Sequence, residues 1–267
     1  MHIIVCIKQV PDTEELPRVR VNPEDNTIVR EGIKSIINPF DENAIEEAIR
    51  IKEKNSAVVT VISMGPPQAK DALRKALAMG ADKAILISDP VFAGSDTLAT
   101  SFTLSEAIRK IGNFDLILLG KQAIDGDTAQ VGPGLAEWLG IPQVTYVRRL
   151  EIKDKLIKVE RVLEDCFEIV EVKLPAVVTV TKEINEPRYP SLKGLLRARK
   201  AEIPVWGNDY LGLPLDKVGL DGSPTRVTKV FVPEPPPKGK IIEGDLNQKV
   251  EKLIEEIKKR DLLKWLR

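Results

Sequence analysis

Residues 115–133 read Asp-Leu-Ile-Leu-Leu-Gly-Lys-Gln-Ala-Ile-Asp-Gly-Asp-Thr-Ala-Gln-Val-Gly-Pro, and the reading of this stretch decides the fold. Leu116 to Leu119 is a short unbroken apolar run, the pattern of a strand covered on both faces. A helical pattern resumes around Gly134-Leu135-Ala136-Glu137-Trp138. Between the two lies a loop of small residues, carboxylates, a hydroxyl and carboxamides. At the carboxyl end of a parallel strand, such a loop is where doubly wound α/β proteins hold ligands such as nucleotides. It lacks the Gly-Lys-Ser/Thr ending of a Walker loop and the spacing Gly-x-Gly-x-x-Gly.

Upstream of this loop the same alternation repeats. His2-Ile3-Ile4-Val5-Cys6-Ile7, Ala57 to Ser63 and Lys83 to Ser88 are apolar runs of strand length. Helical patterns separate them: one opened by Asn38-Pro39-Phe40-Asp41-Glu42, with Asn38 or Asp41 as cap, one from Gln68 to about Met79, and one from Thr97 to Ile111. Strands and helices alternating in this way predict βαβ units, with right-handed crossovers, in a mostly parallel sheet. Val19, Val21 and Ile28-Val29, placed around Pro23-Glu24-Asp25-Asn26, suggest a hairpin between the first strand and the first helix.

Downstream of Gln143 the texture changes. Residues 145–147, 151–153, 156–159 and 167–172 alternate apolar and charged, as half-exposed antiparallel strands do. Pro175 to Val180 is continuously apolar again and returns to the main sheet. From Tyr189 onward prolines and glycines interrupt the chain without a core pattern, as in Pro233-Glu234-Pro235-Pro236-Pro237. A compact domain rarely holds so long a structureless segment, so it reads as an arm lying on another protein. Leu246 to Leu266 is an amphipathic helix with Val250, Leu253, Ile254, Ile257 and Leu262 on one face. The expected division is 1–188, a nucleotide-binding α/β domain, and 189–267, a partner-facing extension.

Composition narrows the chemistry. Forty basic and forty acidic residues leave a net charge of zero, which argues against nucleic acid as the main partner. A single histidine, His2, and two cysteines, Cys6 and Cys166, leave little for a metal cluster or a Ser-His-Asp triad. Cys6 sits inside a strand pattern and reads as a small buried hydrophobe. No run of about 20 apolar residues occurs and the N-terminus lacks signal-peptide features, so no membrane span and a cytoplasmic location are expected.

Several blocks, taken in chain order, resemble the β subunit of electron transfer flavoproteins. They are Asn38-Pro39-Phe40, Ala76-Leu77-Ala78-Met79-Gly80-Ala81-Asp82, Leu118 to Asp125, Val159-Glu160-Arg161, Lys173 to Thr179, and Asn185-Glu186-Pro187-Arg188-Tyr189. The resemblance runs nearly end to end. It implies a sheet like that of the adenine nucleotide alpha-hydrolases and a heterodimer with an FAD-carrying α subunit. A nucleotide-binding regulator of the universal-stress type has a similar sheet but no need of the long arm.

What the resemblance implies about cofactor turns on one segment. In the branch serving acyl-CoA dehydrogenases the loop reads roughly Asp-Asp-Asp-Cys/Ser-Asn-Gln-Thr-Gly and stores AMP. Here it reads Asp125-Gly126-Asp127-Thr128-Ala129-Gln130-Val131-Gly132-Pro133, which is similar to the flavin-bifurcating and nitrogen-fixation-associated branch. Lys8 to Thr13 and Ser95 to Thr100 also fit that branch. There a second FAD takes a hydride from NADH, and its electrons part between ferredoxin or flavodoxin and a high-potential dehydrogenase, quinone-linked or acyl-CoA.

The residues that the resemblance carries to the cofactor are Cys6 (through its backbone), Asn38, Phe40, Asp41, Met64, Asp96, Thr97, Gly120, Lys121, Gln122, Asp125, Gly126, Asp127, Thr128, Ala129, Gln130 and Val131. Physically, Gly126 and Ala129 let backbone N–H groups approach a pyrophosphate, and a helix start near Gly132 adds positive character. Asp125 and Asp127 are poor phosphate contacts and suit loop-orienting, ribose or partner roles instead. Asp96-Thr97 also reads as an ordinary helix cap. Residues 191–200 match the family's recognition loop, with Leu192 as anchor and Leu195 and Leu196 beside it, and are expected to meet the dehydrogenase; the family's Thr-Leu-Pro-Asn start is missing. No residue suggests itself as acid, base or nucleophile.

Overall fold

The computed structural model describes residues 1–12, 20–21, 28–29, 34–229 and 238–260. These fall into two units, Met1–Val230 and Phe231–Arg267.

The first unit opens with β1 (His2–Cys6), followed by β2 (Gln9–Pro11), the short pair β3 (Arg20–Val21) and β4 (Ile28–Val29), and β5 (Ser35–Ile37). β3 and β4 pair antiparallel, as the hairpin reading expects, although Val19 and the turn at 23–26 lie outside the described residues. Then come α1 (Pro39–Asn55), β6 (Val58–Met64), α2 (Lys70–Met79), β7 (Lys83–Ile87), α3 (Thr97–Ile111), β8 (Leu116–Gly120) and α4 (Val131–Leu139). The antiparallel wing is β9 (Gln143–Lys153), β10 (Leu156–Val162) and β11 (Phe167–Lys173), after which β12 (Ala176–Val180) re-enters the sheet. α5 (Leu192–Lys200), the two-residue β13 (Val205–Trp206) and α6 (Asn208–Leu211) follow.

Nine of these strands form one sheet in the order β11-β10-β9-β12-β8-β1-β6-β7-β13, while β2 pairs with β5 and β3 with β4 in two separate two-stranded sheets. From β9 to β13 every pairing is parallel, and only the wing is antiparallel. The expected α/β class, doubly wound and mostly parallel with a small antiparallel addition, is what the chain adopts. The continuous apolar runs have a direct cause, since both faces of the parallel strands are covered. One face carries Ile3, Val5, Val59, Val61, Leu116 and Leu118 against Ala44, Ile45 and Ala48 of α1 and Leu73 and Leu77 of α2. The other sets Ile4, Ile62, Ile117 and Leu119 against Phe102 and Ile108 of α3 and Leu135 of α4. Each fully buried Ile or Leu in these layers contributes about 1.5–3 kcal/mol.

The block Asn185-Glu186-Pro187-Arg188 serves the fold. Asn185 Nδ2 donates to Asn43 O and Glu47 Oε2, each at 3.0 Å. Arg188 clamps Glu46 and Glu53 on α1. Burial alone would raise the Glu46 pKa, but hydrogen bonds from Arg188 and Arg50 hold it below the ordinary value.

The segment after Tyr189, patternless in sequence, returns to the sheet. Gly194 of α5 lies so close to α2 that an added Cβ would sit 2.1 Å from Ala78 O. Arg197 donates to Leu77 O and Ala81 O at 2.8 and 3.0 Å, closing the carboxyl end of α2. β13 pairs with β7, and Leu213 and Val218 are buried in the second core layer.

The second unit holds α7 (Leu246–Lys259), started by a capping box between Asp245 and Gln248. Leu246, Val250, Leu253 and Ile254 are exposed on it; Leu262 lies outside the described residues. Among the described residues no helix is long and apolar enough to cross a membrane.

Candidate functional site

The parallel topology brings the carboxyl ends of β1, β6 and β8 side by side, with Cys6 level with Ile62 and Leu119. Above them lie the residues that the sequence picks out at Cys6, 38–41, Met64 and 120–131, so this edge gathers nearly all of the candidate set. Cys6 is buried, and burial, with the neighbouring Asp41 carboxylate, pushes its thiol pKa up. That describes an inert packing group.

The loop after β8 is held from below by the first turn of α1. Asp41 Oδ1 accepts from Gly120 N at 2.9 Å and Oδ2 from Lys8 N at 2.8 Å. Burial is the larger influence on this carboxyl and raises its pKa to about 7, against the lowering effect of the amides and Asn38. Gly120 must be glycine here, because a Cβ would lie 2.5 Å from both Asp41 Oδ1 and Phe40 Cβ. Asn38, fully buried, donates from Nδ2 to Gln122 O at 2.9 Å and accepts from Ile124 N at 3.2 Å. The sequence reading of Asn38 or Asp41 as a helix cap is therefore corrected: Asn38 holds the N-cap position without a side-chain cap, and both side chains reach across to the loop.

Further along, Lys8 Nζ pairs with Asp125 Oδ1 at 2.7 Å, and Gln122 Nε2 donates to Asp127 Oδ1. Asp127 and Ala129 adopt left-handed backbone, φ 56° and 54°, a conformation costly for residues with a Cβ and often found at ligand sites. Gly126 differs from Gly120. It lacks left-handed backbone, and a Cβ on it would meet no protein atom within 4 Å. Among the described residues nothing demands a glycine at this exposed position.

α4 begins immediately after the loop, at Val131, three residues earlier than its strongest helical pattern. Its N-cap residue, Gln130, makes no side-chain cap hydrogen bond. Gly132 and Gly134 let it sink into the sheet and α3, since added Cβ atoms would lie 2.4 Å from Thr179 Cγ2 and 2.7 Å from Ser101 Oγ. The first amides of α4 thus carry no side-chain acceptor while its body is tightly anchored. Lys121 stands 5.1 Å from the Phe40 ring centre and 5.8 Å from that of Tyr146, cation–π contacts beside the loop.

Asp96 and Thr97 take a different place. Asp96 caps α3, with Oδ1 accepting from Leu98 N and Ala99 N at 2.9 and 3.1 Å. Its Oδ2 accepts from Thr225 N and Thr225 Oγ1 at 3.1 and 2.8 Å. Burial would raise this carboxyl's pKa, yet these four bonds hold it below the ordinary value. Its acceptor capacity is consumed by the protein.

Leu192, Leu195 and Leu196 of α5 are exposed, as is Tyr189. The helix beneath them is fixed by the Ser191 cap and by Arg74, whose Nη1 donates to Ala198 O at 2.9 Å. Two surface cavities lie away from the loop after β8. One of about 640 Å³ is lined by Lys70, Arg74 and residues 201–204, and one of about 360 Å³ borders β2, β5 and Pro66. Among the described residues no group of His, Cys, Asp and Glu is arranged to hold a metal ion. Lys8, which the sequence offers only as the start of a branch-matching segment, reaches the loop because it lies just beyond β1 at the carboxyl edge.

This fold and this edge define a doubly wound α/β protein with a built loop at the carboxyl ends of its central strands. A model of the electron transfer flavoprotein domain matches residues 25–210. An electron transfer flavoprotein subunit beta from Thermoanaerobacterium thermosaccharolyticum is 54% identical over 98% of this chain and 100% of its own length. The caffeyl-CoA reductase-Etf complex subunit CarD of Acetobacterium woodii is 46% identical over 98% of this chain and all of its own. Protein FixA of Azotobacter vinelandii is 51% identical over 88% of this chain and 85% of its own. The chain belongs to the electron transfer flavoprotein family, as a β subunit.

Proposed function

We propose that this β subunit binds FAD on the loop after β8 and, in a heterodimer with an α subunit, passes electrons from NADH by bifurcation. The acceptors are ferredoxin or flavodoxin on one side and a high-potential dehydrogenase on the other. The observation that carries the reading is the combination of a pinned loop and an uncapped helix start: residues 120–127 tied down by Asn38, Asp41 and Lys8, leading into α4 with no side-chain cap. Such an end suits a pyrophosphate. The likeness of the loop at 125–133 to the bifurcating branch supports that reading over the AMP-storing one.

The residues present fit the group. Gly126 leaves space that no protein atom fills, and Thr128 and Gln130 are exposed beside it as neutral hydrogen-bonding groups. Asn38 and Asp41 position the loop from beneath, and Phe40 and Lys121 flank it. The bound flavin supplies hydride acceptance and electron transfer, and the protein supplies its binding, orientation and electrostatics. Exposed Leu192, Leu195 and Leu196 on the braced α5 suit docking of the dehydrogenase. The extension expected at 189–267 suits a surface for the α subunit, in the cytoplasm.

The test is a cofactor count on the co-expressed heterodimer. Two FAD per αβ pair, both reduced by NADH, is the expected result. One FAD with one AMP would sink the bifurcating reading in favour of a carrier for acyl-CoA dehydrogenases.

A further inference from the structure

The loop that is read as a phosphate cradle carries two carboxylates, Asp125 and Asp127, which should repel a phosphate. Asp127 accepts from a neutral carboxamide. Asp125 instead makes an ion pair with Lys8, the one ion pair of residues 120–131 among the described residues. The partners are 117 residues apart in sequence. With Lys8 lying against it, the Asp125 side chain is 16% exposed.

Lys8 is itself held in position. Its N–H donates to Asp41 Oδ2 at 2.8 Å, and its carbonyl accepts from Asn38 N at 2.9 Å. The same two residues grip Gly120, Gln122 and Ile124. Backbone and loop are thus referenced to one turn of α1, which fixes where the ammonium emerges relative to the loop. The nearby Lys121 is turned toward the Phe40 and Tyr146 rings.

We infer that Lys8 is a positioning and charge-neutralising residue, whose pairing with Asp125 makes this loop able to accept a phosphate-bearing adenine ligand. The inference rests on the nucleotide reading above, and it says why a loop with two acidic residues tolerates an anion.

The experiment uses the αβ heterodimer with the β-site nucleotide removed and the α-subunit FAD retained. Calorimetric titrations with ADP, AMP and adenosine compare wild type, Lys8→Gln, Asp125→Asn and the double variant. Lys8→Gln should weaken ADP roughly tenfold to a hundredfold at low salt, the scale of one uncompensated charge near a surface, and less at high salt. Adenosine, which has no phosphate, should change by less than about threefold, and Asp125→Asn in the Lys8→Gln background should restore ADP binding. A merely structural ion pair would affect ADP and adenosine alike, which would overturn the inference. So would wild-type ADP affinity in Lys8→Gln, or failure of the second substitution to rescue. If wild type bound none of the three ligands, the nucleotide reading itself would fall; binding that ignores Lys8 removes this inference alone.

Discussion

Two helices, α3 and α4, start on the same face of the sheet at its carboxyl edge, yet their first turns are finished in opposite ways. At α3 the Asp96 carboxylate takes two helix amides and two groups of Thr225, so the helix start is closed by the protein. At α4 no side chain caps the helix, and the loop before it is tied down at its base. Closed and open ends of similar helices differ in purpose. Asp96 spends its negative charge on stability, whereas the first amides of α4 carry no side-chain cap, which under the proposed function suits a ligand that brings its own negative charge.

The strongest way to break this contrast is to disturb the base of the open end. Gly120→Ala forces a methyl to 2.5 Å from Asp41 Oδ1 and Phe40 Cβ, so it should destabilise the chain by about 3 kcal/mol and abolish nucleotide binding. Denaturant unfolding and ADP titration check both effects. Gly126→Ala is the complementary case. Its methyl meets no protein atom, so stability should stay within about 0.5 kcal/mol. ADP affinity should nevertheless fall about tenfold or more, equivalent to about 1.4 kcal/mol. Wild-type affinity in that variant would mean that the ligand does not approach here.

The closed end should answer in reverse. Asp96→Ala removes a cap and the bond to Thr225, and should cost about 1–2 kcal/mol in thermal unfolding. Nucleotide affinity should not move by more than about twofold; a larger loss would place the ligand at α3 as well.

A separate test at the base of the open end is a pH slope at Asp41. Its folded-state pKa, raised by burial to about 7 from the ordinary 3.8, means that the folded chain holds this proton more tightly. The Asp41 contribution is therefore fully present below about pH 4 and is lost as pH rises toward about 7, at no more than about 1.4 kcal/mol per pH unit. Asp41→Asn should remove that slope, as melts between pH 4.5 and 7.5 would show. A variant with the wild-type pH profile would contradict the assignment.

Much of the frame was legible in the sequence, because the signals for it are local. Apolar runs such as Ile3-Ile4-Val5 and Leu116 to Leu119 announce strands covered on both faces, and α3 spans Thr97–Ile111 as its pattern predicts. What the letters could not show is contact across the chain. Asn38 looks like a cap because capping is a local rule, whereas its actual partners are 84 and 86 residues away. Lys8 and Asp125 meet only because β1 and β8 are neighbours in the sheet. β13 is two residues long, too short for any period, and is a strand only because β7 offers a free edge. The glycines are the same letter with different causes: Gly194 marks the contact of α5 with Ala78, Gly120 the contact with Asp41, and Gly126 neither.

Under the proposed function the open helix start, and not the closed one, receives the cofactor. Hydrogen–deuterium exchange of the αβ heterodimer, with its β-site nucleotide removed and then restored with FAD, tests it most directly. New protection is expected in peptides covering residues 122–132 and none in those covering 96–100. Protection confined to 96–100, or no change at 122–132 with FAD bound, would contradict it.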